Sequence, residues 1–99
     1  MPLIYHITRK QDWEKAKAQE LYTIPSLTDE GLIHCCEEEQ VSGILERYYP
    51  DRSGIVILTL DTEKLRSQLV YEWSPSLEAT FPHIYGPINT DCVVGVKEL

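Results

Sequence analysis

No stretch of this chain holds about eighteen consecutive apolar residues, so no membrane-spanning helix is written in it. The opening Met1-Pro2-Leu3 lacks the basic segment and apolar core of a secretory signal, and the expected compartment is the cytoplasm. Cysteine is scarce: three residues, an odd number, with Cys35 and Cys36 adjacent. Neither feature makes a disulfide framework, which agrees with a reducing compartment. Basic residues are also few, nine against sixteen acidic ones, for a formal net charge of −7. They are scattered, with no basic stripe, so an extended nucleic acid is not an expected partner. A small phosphate-bearing ligand stays compatible, because one arginine and a few backbone amides hold it. Short zinc-ligand spacings are missing too. His6, His34 and His83 are far apart, and His34 and Cys35 would face opposite sides of a strand, so no metal is expected. A cysteine nucleophile is disfavoured by Glu37, Glu38 and Glu39, which supply the wrong field for a thiolate.

What is present is enough for one small domain over residues 1–99, with 42% hydrophobic residues for a single core. Residues 4–7 read as a first strand. Thr8-Arg9-Lys10-Gln11 fits a capping box with Thr8 as N-cap, opening a helix over residues 9–19. That order sets His6 near a helix N-terminus, whose free amides suit an anion. Residues 21–25 read as a short strand, 26–31 as a polar loop, and 32–35 as a short apolar piece. The three glutamates then favour a helix start, and Val41, Ile44, Leu45 and Tyr48 mark one helical face that Pro50 ends. Ile55-Val56-Ile57-Leu58-Thr59-Leu60 is the most apolar run and reads as a central strand covered on both faces. Residues 61–66 read as a capped helical turn. Residues 69–73 form a further strand with Val70 and Glu72 on one side, followed by a loop over 74–80 and a last strand over 92–96. The sum is a β-rich α+β domain with two main helices.

The most constrained stretch is Phe81-Pro82-His83-Ile84-Tyr85-Gly86-Pro87. Pro82 holds Phe81 extended, and Gly86 before Pro87 makes a bend. In the extended piece between them His83 and Tyr85 share a face. The competing reading is a strand end with a packed tyrosine and a satisfied histidine. All three histidines sit among apolar or aromatic neighbours, which suggests a shared interior or cleft. For His34 the competing reading is a brace for the second helix.

The segments Ile4-Tyr5-His6-Ile7-Thr8, Gly31-Leu32-Ile33-His34-Cys35 and Phe81 to Pro87, with Glu72-Trp73 and Gln40, resemble the family called domain of unknown function 952. The resemblance spans nearly the whole chain. It implies the ADP-ribosyltransferase-like fold, a small α+β domain whose two short β-sheets form a cleft, with two main helices. It further implies a ligand of the NAD or related nucleotide class, and transfer of ADP-ribose to a protein acceptor or cleavage of NAD as the chemistry. By the same resemblance His6 would bind a ribose hydroxyl, and Tyr85 or His83 would stack or hydrogen-bond. Thr8, Ser26 and His34 would complete the ligand-binding set, and Glu72 and His83 would be catalytic, with Glu78 the other candidate for the late acidic residue. Two other readings stay open: a non-enzymatic small-molecule sensor or interaction module, and a histidine-based metal hydrolase.

Overall fold

A computed structural model describes residues 2–99. The first strand, β1 (Leu3–Arg9), enters helix α1 (Lys10–Gln19) directly, and a short strand β2 (Leu21–Tyr22) follows. Then come helix α2 (Pro25–Glu30), the two-residue strand β3 (Ile33–His34), a 3₁₀ turn at Glu38–Gln40 and helix α3 (Val41–Tyr48). The second half is almost all β: β4 (Ile55–Asp61), β5 (Gln68–Ser74), β6 (Ala79–Tyr85), β7 (Ile88–Asn89) and β8 (Val93–Glu98), with a 3₁₀ turn at Thr90–Cys92 before β8.

Among the described residues the strands form three sheets where two were expected: β1-β4-β8, β3-β6-β5, and the small pair β2-β7. All pairings are antiparallel. The extra sheet arises because the chain around Leu21 pairs with Ile88 and Asn89 and joins neither larger sheet. β4 is the central strand of its sheet, as its apolar run predicts, and its alternation feeds two cores. Val56, Leu58 and Leu60 pack with Ile4, Trp13, Tyr22 and Ile84. On the other face Ile55 and Ile57 pack with Ile7, Leu45 and Phe81. Successive residues of a strand point to opposite faces, so one strand serves both clusters.

Several local expectations are corrected. Thr8 is not the cap of α1. β1 runs on to Arg9, which is the N-cap residue and has no side-chain capping bond. Thr8 pairs with Val56 in the sheet and is buried. The first amide of α1 is not free for an anion, since Lys10 N–H donates to the Gly54 carbonyl at 2.8 Å. The stretch expected as a loop over 26–31 is helix α2, with Pro25 at its start and Gly31 at its end. Gly31 takes the left-handed φ of 79° that such an end requires. The expected loop over 74–80 is shorter, because β5 and β6 continue their hairpin to Ser74 and Ala79. The glutamate run does open a helix. Glu37 and Gln40 form a reciprocal capping box around the 3₁₀ turn. Tyr48 leaves the expected buried face of α3 and is 54% exposed.

Residues 33–36 sew the two larger sheets together. Ile33 and His34 pair with Ile84 and His83 of β6. Cys35 N–H then donates to the Pro82 carbonyl, while Cys36 exchanges both backbone bonds with Tyr5 of β1. Pro82 has no N–H to offer on the side where its carbonyl meets Cys35, so the ladder stops there and the chain is free to cross to β1.

Candidate functional site

A cleft of about 810 Å³ opens between β1 and the β3-β6-β5 sheet, and residues of α2, α3 and the β5–β6 hairpin help to line it. Its walls are rich in aromatic rings, among them Tyr5, Tyr48, Tyr49, Trp73 and Phe81. Arg9 is the one Lys or Arg among its lining residues, and Asp12 the one carboxylate. The strand period explains part of this: Tyr5, Ile7 and Arg9 alternate onto one face of β1.

His34 and His83 both line the cleft. They are direct cross-strand partners between β3 and β6, and their rings meet edge to face with centroids 4.9 Å apart. Each has a carboxylate behind it. His83 Nδ1 lies 2.7 Å from Glu72 Oε1, and the same oxygen accepts from the Tyr85 hydroxyl. His34 Nε2 lies 3.4 Å from Glu30 Oε1, across the end of α2. The β5–β6 register causes the first contact. Val70 is opposite His83, and Glu72, two residues on, is its diagonal neighbour on the same face. The Tyr85 hydrogen bond, and then His83, hold the Glu72 carboxyl below its ordinary range, and Glu72 pushes the Tyr85 phenol up.

His6 differs from the other two. Its ring is buried, with Nδ1 2.6 Å from the His34 carbonyl and Nε2 2.8 Å from the Tyr22 hydroxyl, itself 2.7 Å from Thr8 Oγ1. Burial lowers its pKa to about 4, against the pull of the His34 carbonyl. The ring is therefore neutral at pH 7. The carbonyl requires Nδ1–H as donor. The other nitrogen, Nε2, then accepts from Tyr22 O–H, and the tyrosine oxygen accepts from Thr8. Both ring nitrogens are engaged: His6, expected to bind a ribose hydroxyl, is among the residues that line the cleft, and it ties β1 to β3.

The remaining expected positions divide. His34, Glu72, His83 and Tyr85 come together as one cluster, with His6 joined to it through the backbone of His34. Thr8 reaches the cleft wall but spends its hydroxyl on Tyr22. Ser26 lies in α2, and its side chain falls outside the described residues. Glu72 does not line the cleft, and neither does Glu78, which has a φ of 51° at the hairpin turn 75–78. Burial holds the Cys35 thiol well above its ordinary range and pushes Cys36 up to about 12, so neither is a ready nucleophile. Among the described residues no group of three or more His, Cys, Asp or Glu is placed to hold a metal ion. Sequence reasoning missed Arg9 and the cleft aromatics; the strand alternation from Tyr5 to Arg9 was the available signal.

The fold and site define an α+β domain with an aromatic cleft between two antiparallel sheets and a carboxylate-backed histidine pair on one wall. The chain belongs to the family described as Protein of unknown function (DUF952), whose model matches residues 7–96. It is similar to the crystal structure of protein CC0527 from Caulobacter crescentus, at 29% identity and a TM-score of 0.88, over 99% of this chain and 86% of that one. The solution NMR structure of CC0527 gives 30% identity and a TM-score of 0.84, over 100% of this chain and 85% of that one. No curated protein matches the chain.

Proposed function

We propose that the cleft binds a small ligand of the nucleotide class, as the ADP-ribosyltransferase-like resemblance implies. The observation that carries the reading is the content of one 810 Å³ cleft: several aromatic rings, a single arginine and two adjacent imidazoles. A pocket of this size holds a drug-sized molecule. Aromatic rings stack on a base, Arg9 pairs with a phosphate, and imidazoles hydrogen-bond sugar hydroxyls.

The same geometry weighs against direct transfer chemistry by Glu72. Its carboxylate is turned to His83 and Tyr85, and it does not reach the cleft. Binding without ADP-ribose transfer is therefore the favoured form of the proposal. A sensor would bind the same ligand and pass the signal on without altering it. The metal-hydrolase reading has no ligand cluster to rest on among the described residues.

Calorimetric titration with NAD, ADP-ribose and AMP tests the reading, with mass spectrometry of the recovered ligand. Saturable binding, lost on Arg9→Ala, is expected, with NAD recovered intact. Release of nicotinamide would restore the transferase reading, and absence of binding by all three ligands would remove the nucleotide proposal.

A further inference from the structure

Each cleft histidine turns one nitrogen to a glutamate, closely for His83 and at longer range for His34, and that limits what the pair can recognise. Glu72 Oε1 stands 2.7 Å from His83 Nδ1, and Glu30 Oε1 stands 3.4 Å from His34 Nε2. An ionised carboxylate only accepts, so an imidazole that carries a single N–H places it on its glutamate. A carboxylate behind a histidine fixes both the tautomer and the ring orientation. The nitrogens left bare are His83 Nε2 and His34 Nδ1. Both rings line the cleft, in contact with each other, with centroids 4.9 Å apart. With a single proton on each ring, the pair therefore offers one acceptor on each of two adjoining rings and no donor.

Two adjacent acceptors are the wrong partner for a phosphate or carboxylate, which needs donors. They match a group with two adjacent O–H donors. The geometry points to His34 and His83 as the readers of a vicinal cis-diol, the 2′,3′-diol of a ribose in the nucleotide ligand proposed above. This deepens that reading and rests on it for the nucleotide, though not for the diol. Glu30 and Glu72 are positioning residues: they do not touch the sugar, and they hold each imidazole in the tautomer that accepts. Tyr85 acts one step further back, because its hydroxyl donates to the Glu72 oxygen that holds His83. The phosphate falls to Arg9, which also lines the cleft, so sugar and phosphate are read by groups of opposite hydrogen-bonding sense.

The test uses the full chain with AMP, 2′-deoxyAMP and ribose as probes, together with nitrogen-15 spectra of the two histidine rings in the free protein. The expected spectra show the proton on Nδ1 in His83 and on Nε2 in His34. AMP is expected to bind at least about tenfold more tightly than 2′-deoxyAMP, since the deoxy sugar leaves one acceptor unpaired. Either ring in the opposite tautomer would overturn the inference. Equal binding of AMP and 2′-deoxyAMP would overturn it while leaving the nucleotide reading in place. Binding of ribose without AMP would keep the diol site and remove the nucleotide, and binding of neither would remove both.

Discussion

The Glu72 carboxylate lies 2.7 Å from His83 Nδ1, joining β5 to β6 along the diagonal of their hairpin. Tyr85 donates to the same oxygen, so one carboxylate carries two loads. The tyrosine is the largest single cause of the depression of the Glu72 pKa, with His83 next. Removing its hydroxyl by Tyr85→Phe should move the Glu72 titration upward, towards the ordinary value of 4.5. A carboxyl carbon-13 titration checks this. Linkage turns the shift into stability. A carboxyl with a depressed folded pKa stabilises above its unfolded pKa, and that contribution is lost as pH falls through the folded value. Thermal melts of wild type at pH values below 4.5 should therefore lose a contribution that is smaller in Tyr85→Phe, where only His83 holds the carboxylate.

His6 has linkage of the same sign, in a higher pH window. Its folded pKa of about 4 lies below the ordinary 6.5, so the unfolded chain takes up a proton that the folded ring refuses. Stability should fall as pH drops from about 6.5 to about 4, by on the order of 3 kcal/mol when the whole shift is expressed. His6→Gln should be less stable at pH 7 by about 1–3 kcal/mol, since the hydrogen bonds to His34 and Tyr22 are disturbed. It should also flatten the decline between those pH values. A variant that melts with the wild-type pH slope would show that another group carries it.

Trp73 stands on the cleft wall with 61% of its surface exposed. Trp73→Ala should change stability by less than about 0.5 kcal/mol, as for most exposed positions. If a base stacks on this ring, AMP affinity should fall by about 1–3 kcal/mol. Calorimetry on the variant measures the second quantity and a denaturant melt the first. Full AMP affinity in the variant would assign stacking to another aromatic of the cleft.

Gly86 sits at the bend that ends β6 and has no room for a side chain. A Cβ there would stand 2.5 Å from Ser67 Oγ and 2.9 Å from Ser67 Cβ. Ser67 cannot turn away freely, because its hydroxyl donates to the Pro87 carbonyl at 2.6 Å. Gly86→Ala should cost about 1–3 kcal/mol, as overpacking does. In the Ser67→Gly background the same substitution should cost much less, a non-additivity that a double-mutant cycle reads directly.

Long, strongly patterned elements were legible in the sequence. The apolar run of β4, most of the face of α3 and the extended piece around His83 all come from pattern and punctuation. The Glu72–His83 contact was half legible: strand period put His83 with Tyr85 and Glu72 with Val70, while the register that joins the two pairs is set by the hairpin. β2, β3 and β7 are two residues each, too short to display any period, so the third sheet was hidden. α2 carried its signs in Pro25 and Gly31, but six polar-rich residues look like a loop when the apolar pattern is what is sought. Thr8 was misread because a capping-box pattern cannot tell a cap from the penultimate residue of a strand. The bracing contacts of His6 were hidden because the sequence does not say that Tyr22 lies across from it.

The crossing made by residues 33–36 has a kinetic consequence. Cys35 and Cys36 pin one sheet to the other by backbone hydrogen bonds. The cleft walls are therefore held at one separation before any ligand arrives, and entry needs no prior opening of the sheets. Preformed sites take up ligand with little ordering cost. Stopped-flow binding should accordingly be a single exponential whose rate rises in proportion to ligand concentration, with no plateau from a slow conformational step.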